Sequence, residues 1–497
     1  MAPLDPPARP TSRTERRTID MVPESERHGT PFSQFTLWFG ANMQITAVVD
    51  GALAVVFGAD ALWAIIGLLI GNLTGGVIMA LHSAQGPRLG LPQMISSRAQ
   101  FGVLGAVVPL VLVIVMYLGF AATGTVLAGQ AVDEIVGTDA QIVGIAVFGA
   151  LTALVAVLGY RYIHGLGRAA TVLGGLGFTY LAIRLVTTTD DFGSIFGAKP
   201  FDSVTFLLAI SLGAGWQLTY GPYVADYSRY LPSTTSPRTT FHCTLWGSVI
   251  GSQWSMTFGA LVAAVPVASG AGFLDNQVGF LGDLGGGGAV ALLIYLVIVV
   301  GKLTVNCLNA YGGFMSILTS VSAFTGGRQI SQRARGLYIT GFIAVSMLIA
   351  VLASNDFLDN FKNFVLTLLM VFTPWSAINL VDYYLISREK VDIPALYDPA
   401  GRYGRWNSVA LTSYTAGVLA QIPFLAQTLY TGPVTTALGG ADISWIVGLL
   451  LTAGLYYALS RGRSRAPKQM IYPQGIEERP PPDTSVEADD AGNQLPI

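Results

Sequence analysis

Lys302, Asn306 and Asn309 stand at positions i, i+4 and i+7 of an apolar run. That spacing puts all three on one face of a helix. An ammonium and two carboxamides in such a run are expensive unless they face a protein interior or a water-filled cavity, which makes them candidates for function. The amides can hydrogen-bond a polar ligand, and the lysine can occupy or tune a cation site. The alternative is interhelical bonding worth only about 0.6–2 kcal/mol each. Trp216 and Gln217 join a flat apolar face to one acceptor and two donors, which suits a planar heterocycle with an amide-like edge. Packing is the alternative for Trp216. Asn42 and Gln44 form a matching polar pair that either faces a ligand or caps freed backbone groups. Asp50 could relay a proton or balance Lys302. Asp226 and Arg229, three residues apart, read as a structural or gating ion pair.

These residues lie in segments that demand a bilayer. The chain has 497 residues, 52% hydrophobic and 11% charged, against about 25% charged in soluble domains. A crossing helix needs about 20 apolar residues. Twelve segments qualify, at 34–58, 62–82, 103–133, 140–160, 169–189, 203–228, 240–268, 288–318, 337–354, 364–386, 408–429 and 441–460. Polar tails at 1–32 and 461–497 remain, and both read as disordered. The fold expected is an all-α polytopic membrane protein with 12 transmembrane helices. Residues 33–386 form its core, as halves 33–189 and 203–386, and 408–460 supply two accessory helices.

Of 27 Lys and Arg, 23 lie in the tails and the alternate loops 82–102, 161–168, 229–239, 326–336 and 387–407. The positive-inside rule then places both termini in the cytoplasm of an inner-membrane protein, as does an even number of spans. A repeat is also visible. Phe39-Gly40-Ala41-Asn42-Met43-Gln44-Ile45-Thr46 and Leu212-Gly213-Ala214-Gly215-Trp216-Gln217-Leu218-Thr219 both read apolar-Gly-Ala-x-x-Gln-aliphatic-Thr. Five spans separate them, and an odd number inverts the second copy, as in secondary transporters built of inverted repeats with interrupted helices. Pro222 would break the backbone ladder of the sixth span, which is tolerated only where it lines a cavity.

Other chemistry finds no support. Gly165-Leu166-Gly167-Arg168-Ala169-Ala170 fits a dinucleotide-binding pattern but follows a membrane helix instead of a strand. No metal-ligand cluster is present, and Cys243 and Cys307 read as buried thiols. Residues 1–32 lack the apolar core of a signal peptide. A net charge of −2 gives no reason to expect nucleic acid.

Several local patterns resemble the nucleobase–cation symporter family, in its cytosine–purine permease branch. They include Gln34-Phe35-Thr36-Leu37-Trp38-Phe39-Gly40-Ala41-Asn42, Gly86-Pro87-Arg88-Leu89-Gly90-Leu91-Pro92, Ala225-Asp226-Tyr227-Ser228-Arg229-Tyr230-Leu231-Pro232, Asn306-Cys307-Leu308-Asn309 and Phe372-Thr373-Pro374-Trp375. The resemblance runs over about residues 24–430. It implies a leucine-transporter-type fold, a 5+5 inverted repeat with broken helices 1 and 6. It also implies a site where Trp216 and Phe120 stack a flat base and Asn306 and Asn309 bind its edge. Where relatives often carry Trp in span 3 and an amide one turn on, this chain has Phe120 and Gly124. Sodium-coupled relatives bind the ion between span 1 carbonyls and span 8 hydroxyls, here Thr304. Lys302 beside that position favours H+ over Na+, because a fixed ammonium can replace the ion or release a proton when buried.

The expectation is a symporter, not an enzyme and without cofactor, that imports cytosine or a purine by proton coupling and works as a monomer. The alternatives are transport of another flat heterocycle, such as a hydantoin, allantoin, pyridoxine or thiamine, and a nutrient sensor without net flux.

Overall fold

The computed structural model describes residues 19–473 except 139, 159, 266–271 and 326–331. Its long helices are α1 (Phe32–Asn42), α2 (Ile45–Val56), α3 (Ala61–Ser83), α4 (Val107–Val136), α5 (Gln141–Leu158), α6 (Tyr160–Thr188), α7 (Ser203–Leu218), α8 (Pro237–Ala264), α9 (Gly288–Thr325), α10 (Gln332–Ala353), α11 (Phe357–Leu380), α12 (Ser408–Gln421) and α13 (Ser444–Ser460). Among the described residues, five stretches are long and apolar enough to cross a membrane alone: Ala61–Leu89, Val107–Val136, Gly288–Thr325, Arg333–Ala353 and Phe357–Ile386. α1 and α2 make a sixth together, bent by 62°. Gln141–Ala156, Val172–Thr188, Ser203–Leu218 and Ser444–Ser460 are shorter apolar helices.

The packing follows a pseudo-symmetry. α3 lies along α7, and α8 lies along α1 and α2. α4 contacts α9 and α10, while α9 contacts α4 and α5. Exchanging α1–α2 with α7, α3 with α8, α4 with α9 and α5 with α10 turns α3–α7 into the packing of α8 on α1–α2, α4–α10 into α9–α5, and α4–α9 into itself. Small residues four apart make both close contacts possible. A methyl group on Gly71 would stand 2.2 Å from the Ile210 carbonyl oxygen of α7, and one on Gly251 would stand 2.6 Å from the Phe39 carbonyl oxygen of α1.

Four expectations change or gain exact bounds. The loop expected at 161–168 is helical, because α6 begins at Tyr160; its glycines are tolerated inside a helix. The span expected at 408–429 ends early. α12 stops at Gln421, and a two-residue antiparallel pair, Ala426–Gln427 with Tyr430–Thr431, follows the Ile422–Phe424 turn. The sixth span, expected to break at Pro222, is helical only to Leu218 and then runs as turns to a short helix at Ala225–Ser228.

The tails are the fourth. Residues 19–32 and 461–473, expected to be disordered, are packed on the 387–407 loop and its neighbours. Val22 N–H donates to Gly90 O at 2.9 Å, and Tyr397 Oη donates to Ile19 O at 2.6 Å. Ile393 N–H donates to Ile471 O at 2.9 Å, and Ile471 N–H returns a bond to Val391 O at 3.1 Å. Met21, Leu89, Val391, Ile393 and Leu396 form the apolar cluster beneath them, with Met470 and Tyr472 packed on it. The side chains at 19–22 and 470–472 supply apolar surface that their polar flanks conceal in a compositional reading. The rest of both tails lies outside the described residues.

Candidate substrate and cation site

The break between α1 and α2 organises the site. α1 ends at Asn42, Gln44 is extended at φ −147° and ψ 155°, and α2 begins at Ile45. Asn42 binds in every direction. Its Nδ2 donates to Trp38 O at 2.7 Å and to Ser248 Oγ at 3.2 Å. Its Oδ1 accepts from Trp216 Nε1 at 2.6 Å and from Tyr220 Oη at 2.8 Å. Ser255 Oγ donates to the Asn42 carbonyl at 2.8 Å, satisfying one of the groups freed by the break.

Lys302 reaches the break from α9. Its Nζ donates to Gln44 Oε1 at 3.1 Å and to Thr46 Oγ1 at 2.5 Å, and the residue is 2% exposed. Among the described residues it forms no ion pair, so two neutral oxygens hold the amine. Gly124 of α4 makes room for it. A methyl group at Gly124 would lie 2.8 Å from Lys302 Cε and 2.3 Å from Asn306 Oδ1. The glycine that departs from the family pattern is thus the position into which the lysine stem and the Asn306 amide pack.

Asn306 Nδ2 donates to Ala121 O at 2.9 Å and to Thr125 Oγ1 at 3.0 Å. Its Oδ1 is buried without a partner, and so is Asn309 Nδ2. One free acceptor and one free donor therefore sit three residues apart on α9. An unpaired buried polar atom costs about 1–3 kcal/mol, which a ligand edge carrying the complementary donor and acceptor would offset.

Rings surround the adjoining space. Phe120 meets Trp216 edge to face at 5.9 Å and Phe364 at 5.2 Å. Trp38 lies 5.0 Å from Tyr220 and 5.5 Å from Tyr227, and Tyr117 lies 5.4 Å from Tyr223. Trp38 Nε1 is a further buried donor without a partner. Sequence reading did not single out Trp38 or this tyrosine group. The signal available was Trp38 four residues before Asn42, on the same helical face.

Other expected residues stand elsewhere. Gln217 is fully engaged: Nε2 donates to Asn72 Oδ1 and Ser252 Oγ, both at 3.0 Å, and Oε1 accepts from Ser248 Oγ at 2.7 Å. That network joins α7 to α3 and α8 and leaves no amide edge for a ligand. Thr304 Oγ1 donates to the Val300 carbonyl in its own helix at 3.1 Å, so its hydroxyl turns back on the helix. Asp50 is fully buried with neither carboxyl oxygen bonded, one turn beyond Thr46. At the far end of the sixth span, Asp226 Oδ1 accepts from Gln93 N–H at 2.7 Å. Arg229 Nε donates to the Asp226 carbonyl at 3.2 Å, with its guanidinium over Tyr230. This pair ties the buried 86–101 segment to the sixth span, at the edge of the ring group that Tyr227 joins.

A second polar cluster was not foreseen. His82 stacks on Trp375 at 4.7 Å and bonds Ser376 Oγ through Nε2 at 3.2 Å. Gln85, Asn379, Gln100, Asp382 and Tyr456 continue the chain of contacts, with Tyr456 Oη donating to Asp382 Oδ2 at 2.6 Å.

The chain is similar to known proteins in sequence and in fold. Residues 21–448 match the family described as "Permease for cytosine/purines, uracil, thiamine, allantoin". The Bacillus subtilis (strain 168) protein named "Putative purine-cytosine permease YxlA" is 38% identical over 454 residues, covering 91% of this chain and 97% of that protein. The purine-cytosine permease fcyB of Emericella nidulans is 26% identical over 90% of this chain and 88% of its own length. Among solved structures, the inward-facing conformation of Mhp1 aligns with a TM-score of 0.73 at 18% identity, over 93% of this chain and 100% of that one. Mhp1 in a closed conformation with bromovinylhydantoin bound, a nucleobase-cation-symport-1 family transporter, aligns with a TM-score of 0.68 over 91% and 96%. With its break, its pseudo-symmetric packing and this match over most of its length, the chain belongs to the family of permeases for cytosine/purines, uracil, thiamine and allantoin, as an integral multi-pass membrane transporter and not an enzyme.

Proposed function

We propose that the protein imports cytosine or a purine base by proton symport across the cytoplasmic membrane, with twelve crossings and both termini in the cytoplasm. The observation that carries the substrate class is the free Asn306 Oδ1 and Asn309 Nδ2, with Asn306 bonded to the carbonyl of Ala121, next in the chain to the Phe120 ring that meets Trp216. A nucleobase offers a flat face for the rings and an edge that both donates and accepts. Trp216 is held by its bond to Asn42, so the stacking surface is coupled to the α1–α2 break. Asn42 and Gln44 act through that break, and Gln217 fixes the frame around it.

Lys302 carries the coupling. Its amine stands where the break would otherwise present its own polar atoms to a cation. Charged, it holds Gln44 and Thr46 together. After losing its proton to water on the cytoplasmic side, the neutral amine would keep two N–H donors but lose its charge, so both contacts would weaken and the break would loosen. Asp50, on the same face of α2 as Thr46, is the acid available to exchange that proton. Asp226 and Arg229 steady the cytoplasmic closure. Thr304 gives its proton to Val300 and keeps its oxygen lone pairs open, so the preference for H+ over Na+ rests on Lys302. Access alternates by rocking one repeat against the other.

The test is uptake of labelled cytosine into proteoliposomes under an imposed proton or sodium gradient, with purines, hydantoins, allantoin, pyridoxine and thiamine as competitors. Proton-driven uptake, competed by purines, is expected. Sodium-driven uptake would overturn the role of Lys302. Cytosine that neither enters nor competes would overturn the substrate class.

A further inference from the structure

A groove of about 420 Å3 opens sideways from the α1–α2 break, between α6 and α9. Gly174, Leu176 and Gly177 line one wall, and Val290, Leu293 and Gly301 line the other. Lys302 and Gln44 close its inner end. Leu176 is 65% exposed and Leu293 59%, so the walls continue the surface that faces lipid. A methyl group on Gly177 or Gly301 would meet no atom within 4 Å. The run from Val290 to Lys302 spans about 18 Å at 1.5 Å per residue, slightly more than half of the roughly 30 Å hydrocarbon layer.

The opposite end is cationic. Tyr180 Oη donates to Gly285 O at 2.7 Å, and one turn on, Arg184 Nε donates to Leu284 O at 3.2 Å. The two terminal amino groups of Arg184 have no hydrogen-bond or ion-pair partner among the described residues. An arginine fork suits a phosphodiester, which it can bind with two parallel hydrogen bonds.

We infer that one glycerophospholipid, from the leaflet opposite the chain termini, is seated here. Its phosphate rests on Arg184, one acyl chain fills the groove, and the chain end lies against Lys302. No substrate-like polar molecule matches a site whose cation and inner amine are separated by an apolar wall along most of its length. The seated chain shields the amine from water arriving through the membrane, so that water reaches it only along the axis of the bundle.

The probe is phosphatidylglycerol carrying a photoactivatable diazirine at one chain terminus, incorporated with the full-length protein into phosphatidylcholine vesicles. Cross-linked peptides are mapped by mass spectrometry. Labelling is expected to concentrate on 173–177 and 297–302, at the inner end of the groove, and to fall about fivefold in Gly177→Phe and Gly301→Leu. Arg184→Gln should lower it about as much, and Arg184→Lys less. Labelling spread evenly over exposed positions such as Val111 and Leu154 would overturn the site, as would labelling unchanged by both groove-filling variants. Equal labelling by a diacylglycerol probe with the same chain would overturn the phosphate contact. If the filling variants fail to fold, the wild-type map and Arg184→Gln decide the question. Cross-linking does not depend on which solute is carried.

Discussion

The two repeats interrupt their first helices differently. In the first half the interruption is two residues long, bends the chain by 62° and is bonded by the Lys302 amine from the other half. In the second half the helix ends at Leu218 and six residues of turn follow, carrying Tyr220 and Tyr223 beside Trp38. One interruption is stabilised by charge and hydrogen bonds, the other by tilted and edge-on ring contacts. Pseudo-symmetric packing therefore fixes where backbone can be freed, while the side chains decide what each opening recognises. Under the proposed function, the first opening is the one that responds to a cation and the second the one that faces a planar solute.

The contrast is most severely tested at the amine. Lys302→Met should abolish accumulation driven by a proton gradient while substrate exchange between equal concentrations persists; exchange lost along with accumulation would merge the two regions into one. Next in size is Gly124→Val, whose added methyls meet Lys302 Cε and Asn306 Oδ1. Uptake should fall at least about tenfold, with overpacking costing about 1–3 kcal/mol. Lys302→Ala in the same chain should restore the fold, read as thermal stability, but not gradient-driven uptake. Asn309→Ala should raise KM about tenfold, equivalent to about 1.4 kcal/mol, leaving the response to the proton gradient intact. Gln217→Ala should lower stability by about 1–3 kcal/mol through its three abandoned partners, with KM unchanged; a KM shift as large as that of Asn309→Ala would return Gln217 to the substrate.

The smallest effect lies outside the membrane. Asp60 caps α3, accepting from Leu62 N–H at 3.0 Å and from Lys199 N–H at 3.1 Å. Burial pushes its pKa up, but the backbone amides of Lys199, Gly197, Leu62 and Ala198 outweigh burial and hold it below the usual carboxylate value. A depressed folded pKa gives stability above the unfolded value of about 3.9, lost as pH falls through the folded one. Asp60→Asn should therefore lower the melting temperature slightly near neutrality and flatten the acid limb, the two profiles converging below about pH 4.

Much of the fold was legible because a bilayer imposes coarse rules. Apolar length located the helices, and the Gln44/Gln217 match located the repeat. The match did not fix the interruptions. Gln44 lies inside the first, whereas Gln217 lies before the second and serves a network with Asn72, Ser248 and Ser252. A glutamine at equivalent positions records ancestry, and its bonds depend on neighbours that sequence spacing does not place. Lys302, Asn306 and Asn309 were legible as a face, since polar groups in an apolar helix are conspicuous. Trp38 and Tyr220 were not, because aromatic residues in such helices also serve as packing. The docked tails were hidden for the opposite reason: a few apolar side chains among charged and proline residues carry little weight in composition.

The principal partner of α1 and α2 is α8, which begins at Pro237. During synthesis the first interrupted helix must enter the membrane with Asn42 and Asp50 already in place, roughly 200 residues ahead of the helix that will cover them. At about 5–20 residues per second this is a wait of roughly 10–40 s. For that interval its freed carbonyls and buried carboxyl must be sheltered by the insertion machinery or by water, so the feature that opens a path for the solute also sets the most exposed moment in the protein's biogenesis.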